Sequence, residues 1–362
     1  MSKRIIIAGG GTGGHIFPAI AIANALIKKD PSIEILFVGA KGKMEMEKVP
    51  QAGYKIEGID ISGFNRSSLI KNIGLPFKLI KSFSQVRRIL NRFKPDAVVG
   101  VGGYSSFPVL RAAQSRRIPT FIHESNSFGG KSNKMLSKKA VRVFTGTAGM
   151  EKFFPAEKIM VTGNPVRVAI AQSAISQAEG LKFFSLPAGK KTVLIIGGSQ
   201  GALSINQAID GGLAKLAEAG LQLIWQTGKS FAAKAKEHAA PYSSVWVNEF
   251  ITQMEYAYAA ADLVVSRSGA MSVAEICVAR KPVLFVPFPF AAEDHQTVNA
   301  MQLVNQGAAM IMPDKDAATR LVQEIISLAG DDRKMAELKK NIAPLAITNA
   351  DEVVAAEIMK HI

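Results

Sequence analysis

An apolar strand that ends in a run of glycines occurs twice in this chain, and its second occurrence restarts the pattern of the first. Arg4-Ile5-Ile6-Ile7 leads into Gly9-Gly10-Gly11-Thr12-Gly13-Gly14, and Lys191-Thr192-Val193-Leu194-Ile195-Ile196 leads into Gly197-Gly198-Ser199-Gln200-Gly201. A strand that delivers glycines to the start of a helix is the opening unit of a nucleotide-binding α/β fold. Further buried-strand runs follow the first copy at 34–38, 97–101, 120–123 and 141–145, and the second at 221–226, 245–248, 263–266 and 282–286. Near-continuous apolar strands separated by helices predict parallel sheets covered on both faces. A length of 362 residues suits two domains. The expectation is an α/β chain of two Rossmann-like domains, 1–165 and 166–342, with 343–362 returning to the first. Gly163-Asn164-Pro165-Val166-Arg167 is the expected join, followed by a polar helix over 171–182.

Glycine lets backbone N–H groups approach an oxyanion, and a helix N-terminus adds a favourable dipole. Gly9, Gly11 and Gly14 satisfy G-x-G-x-x-G. A dinucleotide enzyme should then carry an acid at the end of its second strand, but that strand ends Phe37-Val38-Gly39-Ala40-Lys41, which argues against NAD. Gly100-Val101-Gly102-Gly103-Tyr104 and 197–201 are two more such loops. Three glycine-rich strand ends divided over two domains suit a ligand with several phosphates, held in an interdomain cleft. A fourth feature is Ser266-Arg267-Ser268-Gly269-Ala270-Met271-Ser272-Val273-Ala274-Glu275. Ser268 or Gly269 can cap its helix, and the N–H groups near Ala270 and Met271 can bind phosphate. Glu275, inside an otherwise apolar helix, needs a partner: ribose hydroxyls or Arg280. Pro287-Phe288-Pro289-Phe290 then leads to Glu293-Asp294-His295-Gln296, polar side chains suited to sugar hydroxyls.

The net charge is +15, and residues 61–150 account for nearly all of it, with sixteen Lys and Arg against Asp96 and Glu124. Such an imbalance favours an anionic partner. A helix is expected from about Pro76 to Phe93, with Leu79, Phe83, Val86, Leu90 and Phe93 facing the core. Ile73, Leu75 and Phe77 fall outside that stripe, among Lys71, Lys78, Lys81, Arg87 and Arg88. Apolar residues rimmed by cations predict a patch that rests on an anionic membrane surface. With 7% aromatic residues and no RNA-reading motif, nucleic acid is not the expected partner. Cys277 is the one cysteine, so an intramolecular disulfide is excluded. The five His show no metal-ligand spacing. No apolar run is long enough to span a bilayer, and the first residues do not form a signal peptide, so a cytoplasmic protein is expected.

Taken together, these stretches resemble the MurG family, the N-acetylglucosaminyltransferases of bacterial peptidoglycan synthesis. The resemblance is carried by Gly10-Gly11-Thr12-Gly13-Gly14-His15, Gly102-Gly103-Tyr104, His123-Glu124-Ser125-Asn126, Gly163-Asn164-Pro165-Val166-Arg167, Gly197-Gly198-Ser199-Gln200-Gly201, Arg267-Ser268-Gly269-Ala270 and His295-Gln296. Ser125 stands where many relatives are expected to carry glutamine. The resemblance implies a GT-B fold, with the parallel sheets of two Rossmann-like domains facing a cleft. It implies UDP-N-acetylglucosamine as donor and, as acceptor, undecaprenyl-diphosphate-linked N-acetylmuramoyl-pentapeptide. It also implies inverting transfer at the cytoplasmic face of the inner membrane. On the donor side it implies Arg167 and Ile251 at the uracil, and Ser199 at the diphosphate together with the helix start from Ala270 and Met271 through Ser272, Val273 and Ala274. It places Glu275 at the ribose, Gln296 and Asn126 at the sugar, and Thr12, Gly13 and Gly14 along the cleft. Gly11, Gly102, Gly103 and Tyr104 would cradle the acceptor diphosphate. A transferase acting on another lipid and a sugar-nucleotide epimerase of similar fold are the competing readings.

Transfer requires that leaving-group charge be stabilised and a proton removed. No acidic pair of the kind that holds a divalent metal on a diphosphate is visible, so neither metal nor cofactor is expected. His15 and Glu124 are the candidate bases.

Overall fold

The two glycine-ended strands lie at the centres of two separate parallel sheets. The computed structural model describes residues 2–63, 74–198 and 200–362. They form two compact units, Met1–Arg167 with Asn349–Ile362, and Val168–Thr348.

In the first unit the chain runs β1 (Arg4–Ala8), α1 (Gly13–Lys29), β2 (Glu34–Ala40), α2 (Glu45–Gln51), β3 (Lys55–Ile59), α3 (Leu75–Phe93), β4 (Ala97–Gly100), α4 (Ser106–Ser115), β5 (Thr120–Glu124), α5 (Lys131–Ser137), β6 (Arg142–Thr145) and β7 (Ile159–Val161). The strands pair in parallel in the order β3-β2-β1-β4-β5-β6-β7. Strand order reverses between β1 and β4, and ligands of doubly wound sheets bind at the carboxyl ends of such a pair. Both glycine loops of this unit leave those two ends. Alternation along β1 divides the core: Ile5 and Ile7 pack with α1, whereas Ile6 and Ala8 pack with Val86 and Leu90 of α3 and with Leu110 of α4.

Helix α3 departs from expectation. Pro76 sits in its first turn, but the buried stripe is Ser82, Val86, Ile89 and Leu90. Leu79 is exposed, as are Phe77 (75%) and Ile80 (69%). The helix carries apolar residues on two faces in its first turns, and spacing alone does not say which face is covered.

The second unit continues with α6 (Val168–Ala171), α7 (Gln177–Phe183), β8 (Thr192–Ile196), α8 (Leu203–Glu218), β9 (Gln222–Gln226), α9 (Lys229–Ala239), β10 (Val245–Asn248), α10 (Met254–Ala260), β11 (Leu263–Ser266), α11 (Ala270–Ala279), β12 (Val283–Phe285), α12 (His295–Val304), β13 (Met310–Ile311), α13 (Ala317–Gly330) and α14 (Asp332–Ile342). Its sheet order is β10-β9-β8-β11-β12-β13, so the reversal falls between β8 and β11. The helix expected over 171–182 starts only at Gln177, as α7, since α6 ends at Ala171. Ser176 and Glu179 form a capping box that starts α7 afresh. The turn at 343–345, placed in the return segment from sequence, stays in the second unit, where Leu345 packs beside buried Ile342.

The returning helix α15 (Ala350–Met359) buries Val354, Ala355 and Ile358 in the first unit's core. It is pinned by Glu357, which accepts from Arg142 Nε at 2.9 Å and Lys360 Nζ at 2.8 Å. These donors hold the Glu357 carboxyl down at about 2, from an ordinary 4.5. A depressed folded-state pKa means stabilisation that is present above the unfolded value and lost as pH falls through the folded one. Glu357→Gln should therefore lower stability by about 1–2 kcal/mol at pH 7. Urea midpoints of parent and variant should converge as pH falls from 4.5 toward 2. A gap that stays constant with pH would remove the carboxylate from this role.

Candidate active site

At the first reversal point the two glycine loops lie directly against each other. A Cβ built at Gly9 would fall 2.5 Å from Val101, and one at Gly103 would fall 2.4 Å from the Gly10 carbonyl. His15, in the first turn of α1, lays its ring on Gly102. With φ +94 and the ring 2.7 Å from any Cβ, Gly102 has no room for another residue. The Tyr104 ring covers Gly63, where a Cβ would approach it to 3.0 Å, and lies 3.7 Å from one at Gly11. Thr12 caps α1 by conformation, without a side-chain hydrogen bond, and Gly13 and Gly14 open the helix. The structure thus brings His15, Tyr104, Gly102 and Gly103 to one place.

One acid of this cluster was not found from sequence. Glu45, 1% exposed, lies beneath the first loop. The Gly11 N–H donates to its Oε2 at 2.8 Å, and the Ala40 N–H donates to its Oε1 at 2.9 Å. The N–H of Gly11, a residue expected at the acceptor diphosphate, is thus turned inward to a carboxylate.

Glu124, 4% exposed, ends β5 and is fully engaged. Its Oε1 accepts from the Asn126 N–H at 3.2 Å and from Asn126 Nδ2 at 3.4 Å, and its Oε2 from the Gly130 N–H at 3.2 Å and Asn133 Nδ2 at 2.8 Å. The carboxylate ties the loop after β5 to the start of α5. Beside it, His123 is wholly buried, with Ser125 Oγ 3.3 Å from Nδ1. Burial pushes the His123 imidazole down to about 4; the Gly163 carbonyl opposes that shift and nearby His15 adds to it. His123 is therefore neutral near pH 7. Asn164 donates from Nδ2 to the Ser125 carbonyl at 3.0 Å, so the two motif stretches brace each other. Arg167 falls in this first unit, not the second, with its guanidinium 5.2 Å from the Phe17 ring centroid.

In the second unit the corresponding place holds Gly197 and Gly198 after β8, and Gly269 after β11. Ser199 lies outside the described residues. Gly269 is the extended N-cap of α11 (φ −62, ψ 142). The first-turn N–H groups of α11, among them Ala270, Met271 and Ser272, have no partner within the helix. Val273 and Ala274 follow, and Glu275 is buried at 6%, with the Tyr258 hydroxyl donating to its Oε2 at 3.3 Å. Arg280, the alternative partner read from sequence, instead closes α11 in the left-handed conformation (φ 54). Gln296 accepts the Phe288 N–H through its side-chain oxygen at 3.0 Å, and its own carbonyl accepts from Ser268 Oγ at 2.8 Å. Ile251 places its side chain in the core, 2% exposed, and its N–H donates to Gln226, which in turn donates to the Gly198 carbonyl at 2.9 Å. What Ile251 can offer a ligand is therefore backbone. Arg267, quoted above only as part of a motif, donates to the Val286 and Pro287 carbonyls and pairs with Asp314, bracing the turn toward Phe288. Cys277, in α11, is inert core: burial pushes its thiol up to about 12.

Among the described residues no three His, Cys, Asp or Glu side chains are placed to hold a metal ion, and no helix is long and apolar enough to cross a membrane. Of the surface patch, Phe77 and Lys78 are exposed and Leu75 is half-buried. Lys81 is exposed but pairs with Asp60 at 3.1 Å. Lys71 and Ile73 lie outside the described residues.

Comparison with known proteins gives a consistent result. The model of the glycosyltransferase family 28 N-terminal domain matches residues 5–145, and that of the glycosyltransferase family 28 C-terminal domain matches residues 192–355. The chain is 49% identical to the UDP-N-acetylglucosamine–N-acetylmuramyl-(pentapeptide) pyrophosphoryl-undecaprenol N-acetylglucosamine transferase of Parabacteroides distasonis, over 99% of this chain and 98% of that one. It is 46% identical to the enzyme of the same name from Christiangramia forsetii, over 99% and 98%. The crystal structure of Acinetobacter baumannii MurG superposes with a TM-score of 0.80 at 29% identity, covering 99% of this chain and 100% of that one. The UDP-N-acetylglucosamine 2-epimerase of Neisseria meningitidis, at 17% identity and a TM-score of 0.69 over 99% and 100%, shares the fold.

Proposed function

The chain belongs to glycosyltransferase family 28, and from that premise we propose that it moves N-acetylglucosamine from UDP-N-acetylglucosamine to the 4-hydroxyl of undecaprenyl-diphosphate-linked N-acetylmuramoyl-pentapeptide. This is the lipid I to lipid II step of peptidoglycan synthesis, with inversion at the anomeric carbon. The observation that carries the reading is identity along the full chain to transferases named for those substrates.

The donor belongs with the second unit. The N-terminus of α11 meets the diphosphate through the N–H groups of Ala270 and Met271, helped by Ser199. These groups stabilise the charge that develops as UDP departs. Glu275 takes the ribose hydroxyls. The Gln296 side-chain oxygen is already committed, so its amide N–H groups face the sugar. Arg167, Thr12, Gly13, Gly14 and Asn126 are donor contacts supplied by the first unit, and Gly102, Gly103 and Tyr104 serve the acceptor diphosphate. His15 removes the proton from the attacking hydroxyl. Glu124 has both oxygens occupied by N–H donors, so it is a positioning residue for Asn126 and not the base.

The enzyme works as a peripheral protein on the cytoplasmic face of the inner membrane. Phe77 and Ile80 stand exposed on α3 beside Lys78, Arg87 and Arg88, an amphipathic surface suited to anionic lipid.

Two measurements on one preparation test the reading. Labelled N-acetylglucosamine should pass from UDP to lipid I with a chelator present. Sedimentation with phosphatidylglycerol vesicles at low salt should fall at least about tenfold in the Phe77→Ser, Ile80→Ser variant. Tight UDP-sugar binding without transfer, with or without magnesium, would reject the acceptor. Equal sedimentation of parent and variant would reject the patch.

A further inference from the structure

We infer that Glu45 is a positioning residue for the first glycine loop, holding it from beneath through two carboxylate oxygens rather than by its volume. For its activity arm this inference rests on the transferase reading; its structural arm does not.

The loop after β1 must hold an unusual backbone, with Gly10 at φ +148 and Gly11 at φ +90. Glu45 reaches it from the start of α2, across 34 residues of sequence. One oxygen receives Gly11 and the other receives Ala40 at the end of β2, so the carboxylate joins the loop to the neighbouring strand. The backbone is carved to fit it: a Cβ at Gly10 would lie 2.3 Å from Glu45 Cδ, and one at Gly39 would lie 2.5 Å from Cγ. The two N–H groups help to solvate a buried carboxylate. Two N–H donors converge on one side chain, and that demands two acceptors. Glutamine offers one acceptor and one donor, so it sets an N–H₂ against one of the amides. Aspartate is one methylene shorter.

What the loop holds in turn is the rest of the cluster. Gly103 rests on the Gly10 carbonyl, Gly9 on Gly102, and Gly102 is the seat of the His15 ring. The Tyr104 phenol is raised by burial and further by the Glu45 charge. Loss of the carboxylate should therefore reach His15 through the loops and Tyr104 through the field, while leaving the second unit untouched.

The test is Glu45→Gln in the full chain, with three readouts. Amide exchange over residues 9–17 should quicken at least about tenfold, while exchange over 192–201 stays within about twofold. Turnover should fall at least about tenfold and by more than the donor KM rises, because the damage is chiefly to placement of the reacting groups. The Tyr104 phenol, followed at 295 nm against a Tyr104→Phe blank, should titrate lower than in the parent. Unchanged loop exchange would overturn the inference. So would a chain-wide rise in exchange with an equal loss of UDP binding, which would mark Glu45 as an ordinary core group. If the parent itself fails to transfer while loop exchange still rises in the variant, the loop assignment stands and the transferase reading falls. Should Glu45→Gln not fold, Glu45→Asp is read by the same loop-specific exchange, and parent-like protection there overturns the assignment.

Discussion

Alanine at His15 lowers turnover by about a hundredfold or more and leaves the donor KM within about threefold. The size follows from the chemistry. A sugar hydroxyl is a poor nucleophile until its proton is taken, and a positioned general base is worth about 10²–10⁴ in rate. The sign of the split follows from the location. His15 rests on Gly102 and is itself assigned no donor contact, whereas the helix start, the buried acid and the glutamine proposed for the donor lie in the second unit. The pH profile adds an independent check. His123, held near 4 by burial, has no proton to exchange near neutrality, and Glu124 is saturated with N–H donors. Whatever limb of the kcat/KM profile belongs to the general base should vanish in His15→Ala. A variant with parent-like turnover, or one that keeps the same limb, would transfer the role to another group. Gly102→Ala provides a second route to the same atom: its Cβ would displace the imidazole, so it should lose turnover while His15 is still present.

The sequence made the frame of this protein readable because glycine-ended strands are local. Strand, glycine run and helix start lie within about fifteen residues of one another, and strand order then carries each run to a reversal point. The same locality made α11 and its cap legible, since Gly269, Ala270 and Glu275 lie within two turns. What escaped is joined over distance. Glu45 carries no motif of its own, and only the sheet brings it under Gly11. The role of Arg267 is not visible in its motif, because its partner Asp314 lies 47 residues further on. The short strands β3, β7 and β13 went unread: Lys55 and Glu57 break the apolar run of one, and the others are three and two residues long. Along α3 the expected core face starts too early, because Leu79 obeys helical spacing as well as Val86 and Leu90 do but is exposed. Glu124 stands out in the sequence as an isolated acid in a basic half, but its four N–H donors come from the loop after β5 and from the start of α5, whose placement composition does not reveal.

Glutamine at Glu275 raises the donor KM by about a hundredfold and changes turnover by no more than about threefold. Glu275 is 6% exposed and sits in an apolar helix, so its carboxylate must be satisfied by what enters the site or by what surrounds it. The Tyr258 hydroxyl meets one oxygen from the protein side. A ribose offers two adjacent hydroxyl donors, and a carboxylate accepts both, whereas an amide oxygen accepts and its N–H₂ opposes. The interaction exists in the bound donor and persists through transfer, so it belongs to uniform binding and appears in KM. A donor lacking the 2′-hydroxyl makes the argument decisive. The parent enzyme should discriminate against 2′-deoxy-UDP-N-acetylglucosamine by a factor similar to the mutational loss, and Glu275→Gln should discriminate hardly at all. The two losses then fail to add, which is the mark of two groups in direct contact. Additive losses would place the ribose elsewhere and leave Glu275 a buried acid satisfied from within the protein, Tyr258 among its partners. Falling turnover with unchanged KM would move the residue from binding to the transition state, and with it the proposed placement of the donor on α11.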